Sequence, residues 1–309
     1  MKTVLVITES LEPGNFHRGV VNGFRQIKDI ESIALYCPRD VSFPYSVYNE
    51  LILHKASKFK IDILFAIQAE AIGINTIKTL NDRGIKTVIW NVDDPFLLFH
   101  ANNSKIHRGK CREYQYVYST NIESINRHYP KLGIKAKFLP FGYDPVFHKD
   151  LKLPKKFDTS FVGSSFHNRT QNYISKIKNI YLFGCKNKLW TYPYRVTFSK
   201  MIEIANQSKI NLNFSDQPSN SVRCLKNRVI EIIGAGQFLL SEDFPESNRL
   251  FEIDKELVIF NSLKELTEKI NYYLSHNKER EKIARAGYKK VKENYSYKKL
   301  LSGVLEDLK

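Results

Sequence analysis

Short apolar runs rich in Val and Ile alternate with amphipathic stretches along the first half of the chain. Residues 71–83 repeat their apolar positions at helical spacing and end at Gly84, as in a helix stopped by a glycine. This alternation predicts a parallel, doubly wound sheet. The predicted strands are Thr3–Ile7, Ile33–Tyr36, Ile61–Ile67, Lys86–Asn91, Tyr116–Ser119 and Ala136–Leu139, and the predicted helices are Val20–Lys28, Ala71–Arg83 and Ile122–Tyr129.

The pattern is interrupted at residues 149–156, which are polar and basic and include Pro154. We interpret this stretch as a linker between two domains, residues 1–150 and residues 151–309. A second alternation and a helical tail follow, so we predict two Rossmann-like α/β domains that face one another. The second half contains predicted strands Thr159–Val162, Tyr181–Phe183, Ile210–Phe214, Phe238–Ser241 and Leu257–Phe260, predicted helices Tyr173–Ile180, Phe198–Asn206 and Arg228–Ile233, and predicted tail-helix caps Ser262, Asn277 and Ser296.

Charge adds a hint about partners. The 309 residues include 48 Lys and Arg against 32 Asp and Glu, a formal charge of +16. Residues 151–309 hold 28 basic and 17 acidic side chains, and residues 1–150 hold 20 and 15. Such an excess suits nucleic acid, a membrane surface or phosphorylated substrates. Lysine-rich solvated faces give the same excess, and we favour them over a dedicated nucleic-acid surface.

Cysteine usage and hydropathy indicate a compartment. Cys37, Cys111, Cys185 and Cys224 lie far apart without a C-x-x-C pair, which argues against a zinc cluster or a disulfide framework. Glu9 interrupts the first apolar run, so we interpret that run as a core strand and not a signal peptide. No segment reaches the roughly 20 continuous apolar residues of a membrane helix. We therefore expect a cytoplasmic protein with reduced thiols.

The most informative segment is Lys226–Glu242, where a helix leads through a glycine turn into an apolar strand. Helix N-termini at strand ends attract phosphate through free backbone N–H groups and the helix dipole. Arg228 can add a bidentate clamp on phosphate, and Glu231 can accept hydrogen bonds from ribose hydroxyls. A surface Arg–Glu pair beside a helix-stop glycine has the same spacing, so both interpretations stay open on spacing alone.

Together with Lys209–Phe214 and the tail residues between Leu263 and Gly287, this segment resembles the C-terminal half of GT-B glycosyltransferases. More narrowly, it is similar to the spore-maturation-protein-like branch related to glycosyltransferase group 1. The resemblance covers residues 156–296. It implies a nucleotide-diphosphate sugar, with a UDP-sugar favoured, as co-substrate without a tightly bound cofactor. The donor site that it implies comprises Lys226, Asn227, Arg228 and Glu231, the last of which holds the ribose.

Two further features of the second half bear on the donor. Many relatives carry two glutamates separated by seven residues. The position of the first glutamate is occupied by Arg223 here, which puts the detailed mechanism in question.

A predicted strand also ends at Gly163, and a polar turn through Ser164 leads to Arg169. Turn amides can form an anion nest and Arg169 can neutralise phosphate. Because the family keeps a similar glycine and arginine, we assign Gly163, Ser164 and Arg169 to the donor phosphates.

Candidate catalytic residues lie in the first half. Asp93 and Asp94 follow a core strand, where adjacent carboxylates can raise each other's pKa and supply a general base. A turn cap is the alternative, but relatives often show a similar Asp-Asp-Pro, which implies the acceptor side. His17 lies in the polar stretch Gly14–Gly19, which we expect to be a loop that closes over substrate, and it is a second candidate base. An Asp-x-Asp metal motif is absent, so no metal dependence is predicted.

The resemblance implies a GT-B enzyme that moves a sugar from a donor in the second domain to an acceptor in the first, across a cleft. It points to a cell-surface or spore-coat glycan or protein as acceptor. The basic charge keeps modified bases of phage DNA as an alternative and leaves peripheral membrane contact open. A non-catalytic sugar-binding protein is the alternative from another class, and a sugar-nucleotide epimerase is a third interpretation.

Overall fold

The computed structural model describes residues 1–37, 45–96, 101–163, 168–184, 196–216 and 222–309, without the side chains of residues 101–104 and 168. The described chain divides into two compact units. Unit 1 comprises Met1–Phe141 and Tyr297–Lys309, and unit 2 comprises Gly142–Ser296. The division lies before the predicted linker because Tyr143 already belongs to unit 2, where its amide donates to the Tyr295 carbonyl at 2.9 Å.

Unit 1 is built on a six-stranded parallel sheet. Its strands are β1 Lys2–Thr8, β2 Ile30–Tyr36, β3 Ile63–Ile67, β4 Lys86–Asn91, β5 Tyr116–Ser119 and β6 Ala136–Phe138. The strand order is β2-β1-β3-β4-β5-β6. Val4, Leu64 and Val88 are fully buried, as expected where helices cover both faces of a parallel sheet. The helices are α1 Phe16–Arg25, α2 Tyr45–Lys58, α3 Ile74–Asp82, α4 Ala101–Cys111 and α5 Ile122–Arg127.

Unit 2 repeats this design around a five-stranded parallel sheet. Its strands are β7 Phe157–Val162, β8 Ile180–Phe183, β9 Ser208–Asn213, β10 Leu239–Glu242 and β11 Val258–Phe260. The order is β11-β10-β9-β7-β8, so the ends of β9 and β10 lie side by side at the centre. The helices are α6 Asn168–Ile174, α7 Phe198–Gln207, α8 Asn227–Gly234, α9 Ser247–Leu250, α10 Leu263–Ser275 and α11 Asn277–Asn294.

The last helix, α12 (Tyr297–Asp307), belongs to unit 1, unlike in the predicted division at residue 150. It packs on α1, where a Cβ added to Gly23 would lie 2.6 Å from the Tyr297 Cβ. Asp307 accepts a hydrogen bond from the Tyr118 hydroxyl at 2.6 Å and pairs with the Lys137 ammonium at 2.6 Å. Packing and polar contacts therefore both hold α12 to unit 1.

The predicted strands all occur, with ends that differ by at most about three residues. Several helices differ from the prediction. α1 begins at Phe16 and not at Val20, because the Asn15 side chain accepts from the His17 amide and caps the helix. Asn277, predicted as a cap, is the first residue of α11. The pattern also missed α2 and α4, and it placed α6 several residues too late. In the described part of the chain, no helix has both the length and the apolarity needed to cross a membrane.

Candidate functional site

Two charged side chains stand out on α8 of unit 2. Val229, Ile230 and Ile233 are buried, which fixes this short helix in the core. Arg228 and Glu231 are three residues apart and therefore lie on one side of the helix. Glu231 is 0% exposed, an unusual position for a carboxylate. The helix thus carries a carboxyl group and a guanidinium among apolar residues of the core.

One of the two carboxylate oxygens of Glu231 is left without a hydrogen bond in the described structure. The Asn227 Nδ2 donates to Glu231 Oε1 at 3.1 Å, while Glu231 Oε2 is buried with no hydrogen-bond partner among the described residues. Burial raises the pKa of Glu231 to about 8, although the charge of Arg228 and the bond from Asn227 oppose this shift. Leaving a buried carboxylate oxygen unpaired costs free energy. Ligand hydroxyls that donate to Oε2 would remove this cost.

Arg228 lies directly against a glycine. A Cβ on Gly163 would come within 3.0 Å of the Arg228 Cζ and closer still to one of its terminal nitrogens. The guanidinium carbon also lies 5.1 Å from the centre of the Phe161 ring. Burial lowers the pKa of Arg228 to about 10, with Glu231 opposing the shift, and Arg228 Nε has no partner in the described structure. The structure therefore brings Gly163, Arg228 and Glu231 into one site.

Arg169 is held by two buried carboxylates. Its guanidinium pairs with Asp216 and, at 3.2 Å, with Glu242 at the end of β10. The Thr170 hydroxyl also donates to Asp216. Because these carboxylates already balance its charge, a phosphate would compete with them for Arg169. The phosphate role of Arg169 stays a prediction, and Ser164 lies outside the described residues.

Asp216 and Glu242 are functional-site candidates that the sequence pattern did not reveal. Both lie at or just beyond the carboxyl ends of adjacent strands, β9 and β10, and this position is the signal that could have found them. Arg223, which replaces the first glutamate of the family pattern, lies 3.5 Å from Glu242 Oε1. Glu242 thus lies between Arg169 and Arg223. A carboxylate from β10 is therefore present beside Arg223, although position 223 itself has no glutamate.

The two aspartates after β4 have different surroundings. Asp94 is 2% exposed, and its Oδ1 accepts from the Phe96 amide at 2.8 Å, so it stabilises the turn. Burial raises the pKa of Asp94. Asp93 is exposed, and its backbone amide donates to Gln68 Oε1 at 3.3 Å. Of the pair, Asp93 has the exposed carboxyl that an acceptor can reach.

His17 does not lie in an open loop. It occupies the first turn of α1, is buried, and its ring lies 4.1 Å from that of Phe16. The expected loop around it is wrong because Asn15 caps α1 just before it. Within the ranges that the structure describes, no group of three His, Cys, Asp or Glu side chains could hold a metal ion.

Comparisons with known proteins address the fold. Residues 164–306 match a family model described as glycosyl transferase-like. Sucrose-phosphate synthase from Thermosynechococcus elongatus superposes on this chain with a TM-score of 0.72 at 8% sequence identity. The Anabaena protein HepE, solved in complex with UDP-glucose, superposes with a TM-score of 0.70 at 10% identity. Each match covers 100% of this chain and 99% of the other chain. The fold is GT-B. A glycosyltransferase from Rickettsia africae also matches this GT-B chain, with a TM-score of 0.62 at 14% identity over 99% of this chain and 97% of that one.

The GT-B assignment agrees with the two parallel sheets of six and five strands. The family match covers the part of the chain that contains α8. The spore-maturation-protein-like branch stays a prediction. No curated protein matches the chain.

Proposed function

We propose that this GT-B protein transfers a sugar from a nucleotide-diphosphate donor to an acceptor hydroxyl. The observation that carries the proposal is the charged pair on α8, half-buried Arg228 and buried Glu231, in which Glu231 Oε2 and Arg228 Nε lack partners in the described structure. A carboxyl group for ribose hydroxyls (Glu231) and a guanidinium for phosphate (Arg228) then lie one helical turn apart. The glycosyl transferase-like match over the same segment supports this assignment.

Each part of the donor has a counterpart in unit 2. Ribose hydroxyls donate to Glu231, while Asn227 holds its other carboxylate oxygen. The diphosphate meets Arg228, Lys226 and the free N–H groups at the start of α8. Gly163 lets the Arg228 guanidinium lie against the backbone. We propose a UDP-sugar, since the Anabaena neighbour is solved with UDP-glucose, and we keep Ser164 and Arg169 as further phosphate ligands.

The transfer step follows from this placement. The acceptor oxygen attacks the anomeric carbon of the donor sugar and forms the new glycosidic bond. The bond between that carbon and the phosphate oxygen breaks, and its electron pair leaves with the nucleoside diphosphate. Arg228 and Lys226 supply positive charge that stabilises the leaving diphosphate. The acceptor hydroxyl loses its proton to a base.

We propose Asp93 as that base, with His17 as the weaker candidate because it is buried in α1. Asp93→Asn should lower turnover roughly 10²–10⁴-fold, while donor affinity stays unchanged. Asp94→Ala should instead lower the free energy of unfolding, because it removes the Oδ1 that accepts from the Phe96 amide in a buried turn. Steady-state kinetics and urea denaturation separate the two variants. Full turnover in Asp93→Asn would leave this pair as a turn structure only.

Donor binding can be tested with Glu231→Ala. Losing charge-assisted hydrogen bonds to ribose should weaken UDP binding by roughly 1–3 kcal/mol in isothermal titration calorimetry. Glu268→Ala removes an exposed glutamate from α10 of the same unit and should leave the affinity unchanged. If both variants bind UDP like the parent protein, Glu231 is not part of the donor site.

The acceptor class needs its own assay. With a UDP-sugar, transfer to glycan or protein extracts would support the favoured acceptor, and transfer to DNA with hydroxymethylated bases would support the alternative. Duplex binding through phosphates should then weaken with salt, by about −0.9 in log–log slope for each phosphate. An epimerase would convert the donor sugar without any acceptor, and a binding protein would release no nucleotide.

A further inference from the structure

A small pocket opens in unit 1, outside the donor site. Its volume is about 110 Å³, and its lining residues are Tyr45, Glu70, Ile106, His107 and Lys110. Tyr45 begins α2, Glu70 follows the carboxyl end of β3, and the other three lie on α4. Ligands of open α/β sheets bind beyond the carboxyl ends of the strands. The pocket therefore lies where such a sheet offers a binding site, and the proposed donor contacts do not use it.

The loop that enters the pocket from β3 has a strained backbone. Gln68 and Ala69 have φ angles of 58° and 44°, in the left-handed region that residues other than glycine seldom adopt. Asn49 holds the loop from α2, because its side chain donates to the Ala71 carbonyl at 3.1 Å and accepts from the Gly73 amide at 2.8 Å. Backbone strain that surrounding contacts maintain is concentrated at functional sites.

The opposite wall is tied to the sheet through α4. The His107 Nε2 lies 2.8 Å from Asn91 Oδ1, and Asn91, the last residue of β4, donates from Nδ2 to the Tyr129 hydroxyl at 2.9 Å. Because that amide nitrogen acts as donor, Asn91 Oδ1 accepts from His107. This buried network fixes the helix that carries Lys110. Both walls of the pocket are thus held in place without a ligand.

The polar groups of the pocket balance in charge. The Lys110 ammonium donates one of its three N–H groups to the Glu70 backbone carbonyl, so two N–H groups remain for other acceptors. Burial lowers the pKa of Lys110, and the charge of Glu70 opposes that shift. The pair offers hydrogen-bond donors and acceptors with little net charge. A phosphate would be repelled by Glu70, whereas a hydroxyl can accept from Lys110 and donate to Glu70.

The edge of the pocket is apolar and accessible. Tyr45 is 55% exposed and Ile106 is 58% exposed, so two large apolar side chains flank the charged pair. An exposed aromatic face beside hydroxyl-binding groups matches a pyranose, which has a C–H face and a rim of hydroxyls. A volume of about 110 Å³ is well below the roughly 300–1,000 Å³ of pockets for drug-sized ligands. This size admits at most one sugar ring, inserted in part through the open side, and not a longer segment.

We propose that this pocket binds a neutral pyranose unit of the acceptor, with the Tyr45 ring against its C–H face and Lys110 and Glu70 on its hydroxyls. The inference rests on the proposed function and narrows it, because the acceptor is then a glycan. A sugar nucleotide held by unit 2 supplies the residue that is transferred. The pocket in unit 1 selects the chain end that receives it.

Saturation-transfer NMR on the full-length chain, with and without UDP, tests this proposal. The probes are methyl glycosides of glucose, galactose, mannose and N-acetylglucosamine, with glucose 6-phosphate and a short DNA duplex as charged alternatives. At least one methyl glycoside should bind. Tyr45→Ala and Lys110→Met should each weaken it roughly tenfold. Val47→Ala removes another exposed apolar side chain of α2 and should have no effect.

Glu70→Gln separates charge from hydrogen bonding. It keeps a hydrogen-bonding side chain, so binding of the neutral glycoside should change only a few-fold, while glucose 6-phosphate should gain affinity. The proposal is overturned if no methyl glycoside binds, if Tyr45→Ala leaves binding unchanged, or if the phosphorylated sugar or DNA binds best to the parent protein. Calorimetry with UDP on the same samples tests the proposed function separately. Normal UDP binding with no glycoside signal would reject the pocket alone.

Discussion

Glu231 makes the stability of unit 2 depend on pH. Its ordinary pKa of 4.5 rises to about 8 in the folded protein because the carboxyl is buried. Between these values the unfolded chain has lost the proton that the folded chain keeps. The contribution to stability is therefore fully present below about pH 4.5 and is lost as pH rises through about 8. The free site has the lowest stability at pH values where its carboxylate is ready for a ligand.

Glu231→Gln should remove this dependence. The variant keeps the shape of the side chain and cannot ionise, so its free energy of unfolding should exceed that of the parent protein by on the order of a few kcal/mol at pH 8 and by little at pH 5. Urea denaturation at both pH values measures the difference. Glu268→Gln, at an exposed position, should follow the parent at each pH. A parallel pH dependence in parent and Glu231→Gln would contradict the buried acid.

Single residues also show what a sequence can and cannot give about a site. Arg228 and Glu231 are recognisable because their spacing is local and helical. The contact of Gly163 with Arg228, and that of Arg169 with Glu242, join residues more than sixty positions apart. Such contacts depend on strand order, which spacing does not specify. The loop expected around His17 is wrong, although Asn15, a typical helix cap, precedes it by two residues.

At the scale of elements, strands were predicted better than helices. Strands of a parallel sheet are covered on both faces, so they appear as continuous apolar runs that are easy to recognise. α2 buries only Ile52 and Ala56, and two buried positions are too few to show a helical period in the sequence. α1 shows another limit: its small residues reflect close packing on α12, a partner that lies far away in the sequence.

The α1–α12 contact gives a test at this scale. In Gly23→Ala, the new Cβ would lie 2.6 Å from the Tyr297 Cβ and 2.9 Å from the Leu301 Cδ1, so the helices must separate. We expect a loss of roughly 1–3 kcal/mol in the free energy of unfolding.

Gly303→Ala is the matched control for this contact. It changes a glycine of α12 that has open space around it, and it should stabilise the protein by roughly 0.5–1 kcal/mol. Thermal and urea unfolding compare the two variants. Equal stability of Gly23→Ala and the parent protein would show that the packing is looser than described.

At the scale of the whole molecule, the GT-B fold was predictable while the acceptor was not. Two successive alternations of strands and helices indicated two Rossmann-like units, and the fold is shared with proteins only 8–14% identical. The +16 charge suggested several anionic partners without choosing among them. The pocket of unit 1 is assembled from α2, the loop after β3 and α4, and two of these elements are the helices that the pattern missed.

The return of α12 to unit 1 affects the order in which the protein matures during translation. Unit 2 is inserted in the sequence between Phe141 and Tyr297, so the ribosome completes it before the final helix emerges. Until then the α1 surface around Gly19 and Gly23 has no cover. Domains generally fold as units in the order of their synthesis, yet here the first unit to appear is the last to be finished. A nascent chain therefore exposes an apolar face that chaperones can bind throughout the synthesis of unit 2.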